Sequence, residues 1–369
     1  MTSHRITWTQ SPALGLRTEP ALREGWNRLN ARGIDLPFMD ADAICVALET
    51  FGSGDERVFV GRDGDAVVAM FVLRRSGAGR WETFQPSQMP LGAWLGEPGL
   101  PVELLANSLL RKALFPALAL SVTQVDPRCT ERPVDSPVTR VDSYIDTAWI
   151  DVESSFDDYW AQRGKNLRAN MRKQRNKLAS DNVTAQLVAF EAPADMAGAV
   201  MRYGLLESSG WKAGGGTAIH PDNDQGRFYR GLLEQAAARG EAVVYEYRFG
   251  DKPVAMHLCL RRGGQLVILK TTYDESIDKS LSPALLLHQD ELQAEFEAGK
   301  TRRVEYYGRV MEWHTRWTEK QRTIYHLTCY RWQWVKRLTQ LRSRTPAADH
   351  AAAPTGTEPT SDRAKASAS

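Results

Sequence analysis

Alternation and short apolar runs break the chain into a succession of strands and helices. Ala21 to Phe51 reads as two helical pieces parted around Gly33 to Pro37. Val58 to Gly61, a turn at Gly64 and Ala66 to Arg75 predict a hairpin, and Arg80 to Phe84 a third strand. A loop, QPSQMPLGAWLG, leads to a helix over Val102 to Leu114. Strands follow at Leu118 to Val125 and Tyr144 to Asp151, parted by a proline-punctuated stretch. Phe156 to Leu178 then reads as one long helix.

The second half repeats this order without repeating its sequence. Val183 to Phe190 predicts a strand, and Met196 to Ser208 and Phe228 to Arg239 predict helices. Ala242 to Phe249, Val254 to Arg261 and Leu266 to Tyr273 form a meander with turns at Gly250-Asp251 and Gly263-Gly264. The polar run Asp274 to Leu281 ends it. Ser282-Pro283 signals a helix start, Leu285, Leu292 and Phe296 share a face, and Gly299 stops the helix. Short strands are expected at 302–307 and 323–330. A strand running into a helix N-terminus leaves N–H groups and a positive dipole, which suit acyl donors and phosphates.

Composition narrows the class. The chain has 369 residues, 42% of them hydrophobic, enough for two ordinary domains. With 47 basic and 45 acidic residues, net charge is only +2, so any polyanion site is local and DNA binding is not expected. Such a local site exists in the sequence: Arg163, Lys165, Arg168, Arg172, Lys173, Arg175 and Lys177 follow one another with no acid among them. It suits a phosphate, a tRNA or a membrane surface, or else a solvated linker helix. Trp332 to Arg344 is a second basic helix, either packed on the body or resting on anionic lipid. From Pro346 the composition is that of a disordered tail. Cys45, Cys129, Cys259 and Cys329 are scattered, so neither a disulfide framework nor a metal site is expected. Without an apolar leader or an 18-residue apolar run, a cytoplasmic location is expected.

Several motifs carry more. Glu207-x3-Trp211-Lys212 precedes Gly216-Thr217-Ala218; then come Lys270-x2-Tyr273-Asp274-Glu275, Ser282-Pro283, and Glu305 ahead of Trp313-His314. In this order and spacing the chain resembles GNAT-type acyltransferases related to the Fem peptidyltransferases, proteins linked to envelope-polysaccharide or cellulose biosynthesis. The resemblance implies an α+β fold of two tandem GNAT-like domains, each a mostly antiparallel sheet flanked by helices. The expected division is 1–152, a linker helix over 153–180, a second domain over 181–331, the basic helix 332–345 and the tail 346–369. Ala284 stands where the family has glycine, His314 where it has lysine, and Glu305 where it has aspartate.

The implied reaction is transfer of an acyl group from acyl-CoA or a carrier thioester to an amine, on an amino sugar or envelope precursor. Neither a G-x-S-x-G elbow nor a cysteine in catalytic context is present, so direct attack by the amine is expected. Bases by residue type are Glu207, His257, Asp274, Glu275, Glu305 and His314. His314 is expected as a cation beside the oxyanion, with the base role as the other reading. Tyr273, Glu275 and Glu305 complete the catalytic candidates. Glu207, Trp211, Lys212, Lys270, Asp274, Ser282 and Trp313 are the donor- and substrate-binding candidates. The plain readings are packed histidines, core tryptophans and solvated lysines. The usual GNAT acyl-CoA motif is absent between Tyr273 and Ser282; Gln88 to Ala93 approximates it with one extra residue. A tRNA-dependent transferase, for which the basic helix would hold phosphates, and a non-catalytic binding protein of polysaccharide export are the alternatives.

Overall fold

The computed structural model describes residues 5–208, 219–220 and 222–344. Its first half runs β1 (Thr7–Pro12), α1 (Gly15–Thr18), α2 (Pro20–Arg32), α3 (Ala41–Phe51), β2 (Arg57–Asp63), β3 (Ala66–Gly77), β4 (Arg80–Thr83), β5 (Trp94–Gly96), α4 (Val102–Lys112), β6 (Ala119–Val125) and β7 (Thr139–Asp151). Then come α5 (Phe156–Ala161), α6 (Lys165–Ser180), β8 (Ala185–Phe190), α7 (Pro193–Ser208), α8 (Asp224–Ala237), β9 (Ala242–Phe249), β10 (Lys252–Arg262) and β11 (Gln265–Tyr273). α9 (Pro283–Ala298), β12 (Arg303–Glu305), α10 (Glu312–Thr315), β13 (Gln321–Tyr330) and α11 (Gln333–Arg344) finish the chain. The expected mixed, mostly antiparallel α+β architecture is therefore present. Two local expectations differ. Phe156 to Leu178 is two helices, because Gly164 takes the N-cap position of α6 and breaks the run. The loop after β4 contains the short strand β5, paired with β3.

The strands join in one path, β1-β2-β3-β4-β6-β13-β7-β12-β11-β10-β9-β8. Among the described residues only β4 with β6 and β11 with β12 are parallel, and each pair is bridged by a helix, α4 and α9 respectively. β7 serves both halves: residues 139–148 pair with β13 and 149–151 with β12. β13, late in the chain, is inserted between β6 and β7 and pairs with both, so the sheet of the first half is completed from the C-terminal region.

A buried ion network pins this join. Strand alternation turns Glu305 away from α9, and its carboxylate accepts from Arg322 Nη1 at 2.8 Å and Arg128 Nη1 at 2.6 Å. Arg322 also grips Asp126 with both Nε and Nη2, at 3.0 and 2.8 Å, and Tyr307 donates to the same carboxylate at 2.9 Å. Arg128 reaches Gln265, which donates to the Ile34 carbonyl. Asp126 and Glu305 are fully buried, so each needs its arginines as partners inside the fold. Arg322→Ala is expected to cost roughly 3–5 kcal/mol in urea unfolding, since it strands two carboxylates; a cost below about 1 kcal/mol would show that the join does not need the arginine.

Candidate functional site

The helix that follows β11 is unusual in what it buries. α9 has Leu286, Leu287, Leu292 and Phe296 in the core, but His288, Gln289, Glu291 and Glu295 are buried there too. Each of these polar groups needs a partner within the fold. Glu295 is held by Tyr245, Thr301 and Arg261. His288 and Glu291, three apart and so on one face, meet His257 of β10 and Tyr306 just beyond β12.

The contacts form a chain. His257 Nδ1 lies 2.6 Å and His288 Nδ1 3.3 Å from the same oxygen, Glu291 Oε2, while His288 Nε2 lies 2.6 Å from the Tyr306 hydroxyl. Cys259 Sγ approaches the other Glu291 oxygen at 3.6 Å. Burial alone would raise the Glu291 carboxyl, but His257 and His288 hold it down at about 2, so it is ionised. Burial lowers His288, which is therefore neutral near pH 7. A neutral imidazole has one N–H, and the carboxylate can only accept; the proton sits on Nδ1 and Nε2 accepts from Tyr306. Tyr306, pushed well above its usual range by burial, keeps its proton. The result is a Tyr306–His288–Glu291 triad backed by His257.

The ligand atoms of His257, His288 and Glu291 all lie within 4.8 Å of one another. The 2.6 Å between His257 Nδ1 and Glu291 Oε2 is, however, a hydrogen-bond length, shorter than the roughly 3.3 Å that two ligands about 2 Å from one tetrahedral metal keep. The arrangement fits a proton chain better than a metal centre.

Aromatic rings wall this cluster. Trp313 stacks on His314 with centroids 3.6 Å apart, and both stand edge-on to Tyr306. Trp317 stands edge-on to His288 at 4.7 Å. His314 Nδ1 accepts the Met311 backbone N–H at 2.9 Å. Burial, then His288, lower its pKa to about 4. His314 is thus neutral near pH 7, and the cationic role expected from its alignment with the family lysine does not fit: a buried imidazole that accepts a backbone N–H cannot carry the second proton there without breaking that bond.

The other sequence candidates scatter. Glu305 belongs to the ion network of the join. Asp274 locks the turn after β11: burial would raise it, but Lys252 at 2.7 Å and Ser276 hold it below the usual carboxylate range. Tyr273 and Glu275 are exposed at the end of β11. Glu207, at the end of α7, accepts the Ile219 backbone N–H at 2.8 Å, and Lys270 Nζ lies 5.8 Å over the ring of Tyr229. Glu207 also acts on Tyr229 electrostatically, so these three form a second group on the α7, α8 and β11 side. Trp211 and Lys212 lie outside the described residues. Gln88 to Ala93 has no spare room for a phosphate, because Gly92 donates to the Thr123 carbonyl and a Cβ there would meet that oxygen at 2.4 Å. A cavity of about 340 Å³ between α2, β5 and the loop after β6 includes Arg128 but none of the triad.

Ser282 occupies the N-cap position of α9, yet its side chain makes no capping bond; its backbone N–H is instead taken by Gln174 of α6 at 2.6 Å. α6 lies directly against α9, with Leu167, Met171, Gln174 and Leu178 inward and Arg175 bonded to Gln289 and Asp290. Arg172 and Lys173 remain exposed. His288 and Glu291 escaped the sequence reading, although their i, i+3 spacing on an otherwise apolar helix was a usable signal.

Residues 165–315, from α6 to α10, match the family profile described as Acetyltransferase (GNAT) domain. No curated protein matches the chain. The C-terminal domain named for lysylphosphatidylglycerol synthetase from Agrobacterium fabrum is similar in fold, at 14% identity and TM-score 0.52, over 86% of this chain and 96% of that one. FemX gives 9% identity and TM-score 0.47 over 78% and 90%. A tandem GNAT protein from the clavulanic acid biosynthesis pathway gives 14% and 0.43 over 88% and 98%.

Two outcomes follow from these contacts. Ser282→Ala is expected to change stability by less than about 0.5 kcal/mol, whereas Gln174→Ala, which leaves a backbone donor unmet, costs about 1–3 kcal/mol in chemical denaturation. The second concerns acid. His314 takes up its proton near 6.5 when unfolded and near 4 when folded, so its contribution is complete above pH 6.5 and is lost as pH falls towards 4. Across that window His314→Gln is expected to gain on wild type by up to about 3 kcal/mol, measured by urea unfolding at stepped pH.

Proposed function

We propose that the protein is an N-acyltransferase that passes an acyl group from a CoA thioester to an amine by direct attack. The observation that supports this best is the opening of the parallel pair. β11 and β12 are bonded only from Gln265↔Arg303 to Val267↔Glu305. β11 continues to Tyr273 without β12 beside it, while the chain beyond Glu305 stays along β7, where Tyr306 donates its N–H to Ala148. The open end has α9 starting beyond one strand and Tyr306 beyond the other. A pantetheine arm laid along the freed edge of β11 would put its phosphates towards the first turn of α9 and its carbonyl towards Tyr306.

In this reading the amine attacks the thioester carbonyl, the C–S bond breaks and the thiolate leaves. The attacking nitrogen passes its proton to the Tyr306 oxygen as the Tyr306 proton moves to His288 Nε2. Glu291, ionised, stabilises the imidazolium that forms. Neutral His314 and Trp313 exclude water from the reacting atoms. The acceptor class, an amino sugar or cell-envelope precursor, rests on the family resemblance.

A second reading has one observation in its favour. The exposed cations of α6, Arg172 and Lys173, lie on a helix packed against α9, where they would suit the phosphates of an aminoacyl-tRNA.

Tyr306→Phe removes only the hydroxyl. With radiolabelled acetyl-CoA and a panel of amino sugars, this variant is expected to lose roughly 10²-fold or more in kcat while keeping its circular dichroism, at a stability cost of about 1–3 kcal/mol for the donor that His288 loses. Full activity would remove the triad from the mechanism. Salt-sensitive tRNA binding that falls in Arg172→Ala/Lys173→Ala, with no CoA bound, would favour the second reading.

A further inference from the structure

The C-terminal helix makes two different surfaces. α11 is fastened by Val335, buried beside Ala119 and Tyr330, and by Lys336, whose buried ammonium donates to the Ser136 and Thr139 carbonyls at 2.8 and 2.6 Å and reaches Asp135 at 3.3 Å. Thr339 adds contacts to Tyr330 and the Lys336 carbonyl. These residues lie on one side of the helix.

The other side is apolar and open. Trp334 is 53% and Leu338 51% exposed, one turn apart, and Leu341 follows at 62%. Trp332, 45% exposed, stacks on Trp334 with the rings 11° from parallel. Phe115, 77% exposed at the end of the α4 segment, extends the patch, and Arg331 bridges it, its guanidinium over both Phe115 and Trp332. Arg331 is itself fixed by the Leu110 and Ala117 carbonyls. From 331 to 344 the chain carries Arg331, Lys336, Arg337, Arg342 and Arg344 and no acid, and Arg111 is a second cation beside Arg331. At 100° per residue, the exposed Arg337 falls beside the Trp334–Leu338 line.

We propose that this face of α11, with Phe115, rests on an anionic lipid surface. The charge complementarity selects that occupant: tryptophan, leucine and phenylalanine in a shallow row, flanked by arginines without acids, suit the boundary between headgroups and acyl chains. An apolar groove on a protein would not require the surrounding cations. α11 is too short to span a bilayer, and no described helix is long and apolar enough to do so. The helix lies in the interface plane, held to the body by Lys336. This inference is independent of the acyl-transfer reading.

The test uses the full chain and sedimentation with vesicles, either of phosphatidylcholine alone or of phosphatidylcholine with phosphatidylglycerol. Wild type is expected to bind the anionic vesicles at least tenfold more tightly, with a blue shift of tryptophan emission, and to lose binding as salt rises. Trp334→Ser/Leu338→Asp is expected to weaken binding more than tenfold, and Arg337→Glu roughly fivefold or more, both with unchanged circular dichroism and unfolding midpoint. Equal binding to both vesicle types, no binding at all, or full binding by Trp334→Ser/Leu338→Asp would overturn the proposal. So would a concentration-dependent dimer of wild type in sedimentation velocity that this variant abolishes, since the face would then belong to a second copy.

Discussion

The carboxylate of Glu305 has no access to water, yet it sits between two arginines from distant parts of the chain, one beside β6 and one on β13. Arg322 in turn carries Asp126, and Asp126 carries Tyr307. Removing any one charge from such a group leaves another buried without compensation, so the set forms together or not at all. Its geometric effect is to fix where β12 ends. Because Glu305 is held on one side of the sheet, Tyr306 must point to the other, into the space under α9.

That space is where a helix with buried polar groups becomes useful. α9 crosses from β11 to β12, as α4 crosses from β4 to β6, but only α9 carries a histidine and a glutamate on the face turned to the sheet. A carboxylate kept charged in the interior by two histidines favours a proton moving along the chain toward it. The fold therefore brings together a strained residue after β12, with Tyr307 at φ 49°, a splayed parallel pair and a proton chain within a few residues of one another. The opened strand pair and the proton chain both fall within residues 165–315, the segment that matches the GNAT family profile.

Charge elsewhere is arranged by packing as well as by number. α6 uses Gln174 and Arg175 to fasten α9, leaving Arg172 and Lys173 outside. α11 buries one lysine to hold itself down and turns its tryptophans outward. Near-zero net charge thus coexists with two local basic surfaces, one beside the opened strands and one at the far end of the first half's sheet.

Much was legible in the sequence because it depends on short-range rules. The short apolar runs of β9 to β11, the Gly250 and Gly263 turns, the Ser-Pro start of α9 and its left-handed stop at Gly299, φ 63°, are set by neighbours in the chain. The motifs from Lys270 to Glu305 pointed to the acyltransferase class for the same reason, since their spacing is a property of one strand-loop-helix-strand unit, β11 to β12. What the chain could not reveal is what depends on which elements meet in the fold. Strand propensity at 321–330 is the same whichever sheet accepts it, and only the positions of β6, β7 and the Asp126 carboxylate put it in the first. Glu305 looked like a catalytic acid until Arg128 and Arg322 came to it. His314 looked like a replacement for a lysine until burial against Trp313 and Tyr306 removed its charge. Ser282 looked like a side-chain cap, but its hydroxyl makes no capping bond, and its contact across the fold is the backbone N–H it gives to Gln174 of another helix. In each case the residue type was readable, but its protonation and partners are properties of the surroundings that tertiary packing alone assembles.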